Sequence, residues 1–127
     1  CGGTTANLIS RELNIPVRCN NIRSVGKLPA VSQMDGIDLV TEGILTLTKT
    51  YEYLESGFND KEKNAAYDLM QFLLNSDCIE FMVGAKLNQA HYDPNLPIEI
   101  EIRKNIVKKM AKILEDKYIK RVTLRYI

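Results

Sequence analysis

The chain predicts a mixed α/β domain of the α+β layered kind. Its apolar positions switch between a period of two and a period near 3.6, turn-forming residues punctuate each switch, and 45% hydrophobic with 26% charged residues is the composition of a folded core. At 127 residues it fits one compact unit, and no internal repeat or low-complexity tract interrupts it.

Residues Ala6 to Leu13 predict a short helix, with Leu8, Ile9 and Leu13 on one face and Thr4 or Thr5 as its cap. Pro16 ends that element, Ile15 to Ile22 read as a strand, and Val25 to Met34, with Gly26, Lys27, Pro29 and Ser32, read as an irregular connection. The β-formers Ile37, Leu39 and Val40 then make a short strand. From Ile44 the period changes, and Ile44, Leu47, Tyr51 and Leu54 predict a helix that Ser56-Gly57 stops. Asn59 followed by Glu62 has the spacing of a capping box for a second helix running to about Leu74, with Ala66, Leu69, Met70 and Leu73 inward and Phe72 at the edge. This Met and aromatic stripe reads as packing.

Asn75-Ser76-Asp77 breaks that helix, and Ile79, Phe81 and Val83 alternate with Glu80 and Met82 as a strand. A polar connection from Gly84 to Pro97 holds the lone histidine, His91, beside Asn88, Asp93 and Pro94. It reads as a surface loop, or, with an imidazole that titrates near neutrality, as a place where His91 donates to phosphate. Ile98 to Tyr118 predict a long helix with Ile102, Ile106, Met110, Ile113 and Leu114 on its inner side, broadened by Val107 and Tyr118, although Ile98-Glu99-Ile100-Glu101-Ile102 alternates like a strand. Arg103, Lys104, Lys108, Lys109 and Lys112 make its outer side basic, a pattern that is usually a solvated face. Lys120 to Ile127 close the chain as a strand whose basic residues suit a sheet edge.

The formal net charge of +1 gives no overall pull toward nucleic acid, and no apolar run approaches the length needed to insert in a membrane. Cys1, Cys19 and Cys78 are odd in number and far apart, without a zinc spacing. They suit reduced cytoplasmic thiols, with Cys19 and Cys78 as small buried residues in strands. Beginning at Cys1-Gly2-Gly3, with neither an initiator Met nor a leader, the chain is expected to be a piece of a longer polypeptide.

Chemistry concentrates where the strand ending at Val40 turns into the next helix. Thr41-Glu42-Gly43 places an acid at a strand end, where it can ligate a metal or simply occupy the positive start of the helix. Gly43 relaxes the backbone for the change of direction. Gly2-Gly3-Thr4-Thr5 offers a small-residue loop before a helix, suited to phosphate but lacking the lysine of a P-loop.

Thr41-Glu42-Gly43-Ile44 resembles the Thr-Asp-Gly-Val segment of the bacterial stage II sporulation protein E-type branch of the PPM (type 2C-like) serine/threonine protein phosphatases. Ser76-Asp77-Cys78-Ile79-Glu80-Phe81-Met82-Val83 is similar to that family's final Asp-Asp-Ile-Thr and strand, and Cys1-Gly2-Gly3-Thr4-Thr5-Ala6 sits where many members carry an Asn-Ala-Gly-His loop. The resemblance covers residues 1 to 85. It implies the C-terminal portion of a PPM-type α-β-β-α sandwich, a mixed or antiparallel sheet with flanking helices, followed by the loop, basic helix and closing strand of residues 86 to 127. It further implies Glu42 and Asp77 as ligands of Mn2+ or Mg2+ and Gly43 as backbone at the metal site; Gly2, Gly3, Thr4, Thr5 and His91 are candidates for a phosphate or substrate loop on their residue types, and the resemblance assigns His91 no catalytic role. Hard cations of this kind take oxygen ligands, and two of them roughly 3.5 to 4 Å apart activate water and stabilise a phosphoryl group in transfer.

There are departures. Glu42 stands where the family has Asp, which extends the carboxylate by roughly an ångström. Ser76 replaces the first acid of the usual pair. The family's Asp-Gly-x-Gly segment, with the remaining ligands, is absent from these residues. The resemblance therefore implies a phosphoprotein phosphatase whose missing N-terminal half is a partner of this piece, with the piece inactive alone. The alternative is a non-enzymatic interaction or regulatory module that docks a protein through the basic C-terminal helix.

Overall fold

Apolar spacing in the first residues builds a helix against a small sheet. A computed structural model describes residues 1–19, 28, 31–85 and 94–127. Helix α1 spans Gly3–Leu13, and strands β1 (Arg18–Cys19), β2 (Ser32–Met34) and β3 (Ile37–Val40) follow. The three strands pair antiparallel in the order β1-β2-β3, with a register shift between Ser32 and Met34. Ala6, Met34 and Val40 are buried together, and Ile9, Ile15, Val17 and Ile37 pack around them. Gly36, at φ 84, makes the tight turn from β2 to β3.

A second core lies among the later elements: α2 (Ile44–Ser56), α3 (Ala65–Leu74), β4 (Cys78–Val83), α4 (Leu96–Asp116) and β5 (Arg121–Tyr126). Tyr53, Leu54, Ala66, Met70, Leu73, Met110 and Leu114 are buried in it, joined by Leu28 from the segment between β1 and β2. Each large apolar side chain so buried contributes about 1.5–3 kcal/mol of transfer free energy. Strands β4 and β5 pair in parallel, Cys78 opposite Arg121 through Val83 opposite Tyr126. The inner residues Ile79, Phe81 and Val122 pack on the helices. Among the described residues the chain is thus a mixture of helices with two small sheets, as the alternating periods predict.

Several local expectations are corrected. Helix α1 starts at Gly3 with Gly2 as its cap residue, and neither Thr4 nor Thr5 caps it. Met34 and Ser32 belong to a strand rather than a loop, because the Asp35-Gly36 turn returns the chain alongside β3. Helix α3 begins at Ala65, capped by the Asn64 side chain, which accepts the Tyr67 N–H at 3.0 Å, so Asn59 and Glu62 do not start it. Residues 98–102 are helical, as the helix predicted from Ile98 has it, but its inner stripe there is Ile100, continued by Val107, Met110, Ala111 and Leu114, and Ile102 stays 43% exposed.

The inner face of α2 is rotated toward Thr46, Thr50, Tyr53 and Leu54. Those threonines are tolerated because the Thr50 hydroxyl donates to Thr46 O at 2.7 Å and lies 3.3 Å from Ala66 O. Cys19 and Cys78 are exposed, since β1 is short and Cys78 lies on the outer face of the two-stranded sheet. The rest of the strand foreseen over residues 15–22, and the body of the loop foreseen over 25–34, lie outside the described residues.

Candidate functional site

Backbone pairing at the end of β3 determines what can meet there. The Cys1 nitrogen donates to Leu39 O at 2.7 Å and the Thr41 N–H donates to Cys1 O at 2.9 Å. Gly2 is thereby bridged in parallel to Thr41, on the edge of β3 away from β2. Both segments then enter helices. Ala6 N–H closes the first turn of α1 onto Gly2 O at 2.9 Å, and Leu47 N–H closes that of α2 onto Gly43 O at 2.9 Å.

The two helix starts are therefore neighbours. A Cβ on Gly2 would lie 3.9 Å from Glu42 O and 3.9 Å from the Gly43 Cα, and one on Gly3 would lie 3.9 Å from Thr41 O. Neither helix has an acid in its first turn. Gly43, at φ 128 and ψ −106, adopts a conformation that only glycine takes without strain.

Glu42 is exposed, and its Oε2 accepts the Leu45 N–H at 3.2 Å. One of the first-turn donors of α2, which have no acceptor within the helix, is satisfied in this way, and the carboxylate sits where the helix dipole favours it. The other carboxylate oxygen is left to face solvent or a ligand. Asp77 is also exposed; its main-chain oxygen accepts the Arg121 N–H at 3.0 Å. Its carboxylate forms no ion pair among the described residues.

Of the residues singled out by sequence, the structure brings Gly2 beside Glu42 and Gly43, and Gly3 beside Thr41, while Thr4 and Thr5 follow in the exposed first turn of α1. Asp77 comes from elsewhere. Glu42 follows β3 and Asp77 precedes β4, and those strands belong to different sheets. His91 lies outside the described residues.

As oxygen donors, Glu42 and Asp77 suit Mn2+ or Mg2+. Among the described residues, however, no group of three or more His, Cys, Asp or Glu side chains is gathered as a metal cage. A hard cation binding at Glu42 needs further oxygen ligands from water, phosphate or another stretch of polypeptide.

Sequence reading missed a polar cluster at the margin of the helical core, in which Tyr53 and Asn64 are buried and Asp60 is exposed. The Tyr53 hydroxyl donates to the Asp60 carboxylate and accepts from Asn64 Nδ2 at 2.8 Å, and Lys49 Nζ lies 3.7 Å from Asp60. Burial, and then the bond to Asp60, push the Tyr53 phenol above its ordinary pKa. Tyr53 lies in α2, Asp60 in the non-helical connection and Asn64 at its end, so no periodic signal links them. Every buried side-chain nitrogen and oxygen among the described residues has a partner.

No family model matches the chain, and neither a curated protein nor a solved structure matches it significantly.

Proposed function

We propose that the chain is the C-terminal part of a metal-dependent phosphoprotein phosphatase acting on phosphoserine or phosphothreonine. Its N-terminal half would supply the Asp-Gly-x-Gly segment and the remaining ligands of Mn2+ or Mg2+. The observation that carries this reading is the contact of Gly2-Gly3 with Thr41-Glu42-Gly43. Two segments with separate resemblances to one family, far apart in sequence, meet at one pair of helix starts.

In this reading Glu42 lends its solvent-facing oxygen to a metal while the other oxygen remains on the Leu45 N–H, and Gly43 gives the turn that presents it. Asp77, held at the start of β4, is the second ligand. It reaches the site from the second sheet. The bound cations would supply an activated water and neutralise phosphoryl charge. The open N–H groups of the adjoining helix starts provide a favourable field for phosphate.

The test is hydrolysis of a phosphoserine peptide in Mn2+ by this chain joined to its upstream polypeptide. Activity lost in Glu42→Ala but retained by the folded variant of a distant surface acid supports the reading. Full activity in Glu42→Ala overturns it. The piece by itself should show no turnover.

A further inference from the structure

Half of the backbone of β5 has no partner strand among the described residues. In the parallel register of β4 and β5, the Arg121 N–H donates to Asp77 O at 3.0 Å and the Ile127 N–H to Val83 O at 3.0 Å. Alternation then turns the N–H and C=O groups of residues 121, 123, 125 and 127 toward β4 and those of Val122, Leu124 and Tyr126 away from it. Among the described residues no strand pairs with that edge. Parallel strands normally lie inside larger sheets with both faces covered, so a two-stranded parallel sheet with a free edge is an incomplete arrangement.

The side chains point the same way. Val83 is 4% exposed, whereas Tyr126, its register partner on β5, remains 43% exposed on the helix-facing side. Lys104 Nζ lies 5.9 Å from the Tyr126 ring centroid and leaves it partly open, so among the described residues the apolar layer is unfinished beyond β5. On the opposite face Arg125 is paired with Glu80 at 3.1 Å, while Arg121 forms no ion pair among the described residues.

We propose that the outer edge of β5 is a strand-addition site for an extended, acidic segment of a partner protein. Its main chain pairs with Val122, Leu124 and Tyr126. Its apolar side chains continue the layer over Tyr126, and its acidic side chains lie beside Arg121 and Arg125. A second copy of β5 is disfavoured because it would bring two more arginines to a face that already carries uncompensated charge. Nucleic acid offers no complement to alternating N–H and C=O groups. The proposal is independent of the phosphatase reading.

The test uses the 127-residue chain and short peptides in which Val alternates with Glu or with Lys, read by binding and by amide hydrogen exchange. The Glu peptide should slow exchange at the N–H groups of Val122, Leu124 and Tyr126, leave those of Cys78, Glu80 and Met82 unchanged, and bind about tenfold more tightly than the Lys peptide. Arg121→Glu should reverse that preference. Val122→Pro removes one edge donor while sparing the bonds between β4 and β5, and should weaken binding by about fivefold to tenfold. Should that variant fail to fold, Arg121→Glu and the exchange pattern of the unaltered chain decide. Equal affinity for both peptides, slowing on the β4 edge instead, or concentration-dependent slowing without peptide would each overturn the proposal, the last by making a second copy the occupant.

Discussion

The ammonium group of Lys117 lies 3.0 Å from the carbonyl oxygen of Leu54 and 2.9 Å from that of Glu55, so the turn after α4 closes the C-terminal end of α2. The Tyr118 hydroxyl reaches the same Leu54 oxygen at 2.6 Å, and Lys120 Nζ reaches Leu74 O, at the end of α3, at 2.6 Å. Three neighbouring side chains thereby satisfy carbonyls that have no acceptor role inside their own helices, with two cations placed at negative helix ends.

Lys117→Ala and Lys120→Ala are each expected to lower stability by about 0.5–1 kcal/mol in urea denaturation. The two lysines serve different helices and share no partner, so their effects should add. A double variant no less stable than either single one would show that the end-capping is cosmetic.

Between those lysines, Ile119 has φ 56 and is 82% exposed. A β-branched residue in the left-handed region is strained, and little burial offsets the strain here. Ile119→Gly should raise stability by about 1 kcal/mol, visible as a higher midpoint in thermal melting. A lowered midpoint would mean that the isoleucine side chain makes a contact worth more than its backbone strain.

The N-terminus of α3 separates two readings of one sequence. Asn64→Ala should cost about 1–2 kcal/mol, because it removes the acceptor of the Tyr67 N–H and a donor to Tyr53. Asn59→Ala and Glu62→Ala should change little. The spacing of Asn59 and Glu62 fits a capping box, but helix onset is decided by where the apolar face can reach the core. Ala65 and Ala66 are buried, which draws the cap to the asparagine just before them.

The same competition explains what could be read along the chain. Strong apolar periods gave β3, α3, β4 and the body of α4 within a few residues. The period failed where polar residues are buried with internal partners, as at Thr46 and Thr50, and at Ile102, which the stripe assigns to the inner side of α4 but which is exposed. Of the candidate site, Glu42 and Gly43 were legible because a strand-to-helix switch marks them. The pairing of Cys1 and Gly2 beside β3 was not, because long-range ladders leave no trace in local spacing.

Tyr53 links stability to alkaline pH. Its phenol is raised above the ordinary value of 10.0, first by burial and then by the bond to Asp60. The unfolded chain therefore loses this proton at lower pH than the folded one. The stabilisation is fully present below pH 10.0 and is lost as pH climbs from there through the higher folded pKa. Tyr53→Phe should destabilise by about 1–3 kcal/mol at neutral pH, since it strands the partners of a buried hydroxyl. It should also flatten the alkaline fall in melting temperature relative to the parent chain. An unchanged alkaline slope would remove Tyr53 from the account.

The turn at Gly43 can be separated from the glycines that face it. Gly43 has φ 128 with open space where a Cβ would go, whereas a Cβ on Gly2 or Gly3 would meet its neighbours at ordinary contact distance. Gly43→Ala should thus cost about 1–3 kcal/mol through backbone strain alone, while Gly2→Ala should lie close to the parent. Glu42→Ala removes only the acceptor of the Leu45 N–H and should cost about 0.5–1 kcal/mol in the absence of metal. Mn2+ should stabilise a longer polypeptide that completes the ligand set more than it stabilises this chain, and Glu42→Ala should abolish the difference. An equal Mn2+ shift in both, lost in Glu42→Ala, would mean that these residues already form a whole site; no shift in either would leave Glu42 as the cap of α2 and nothing more.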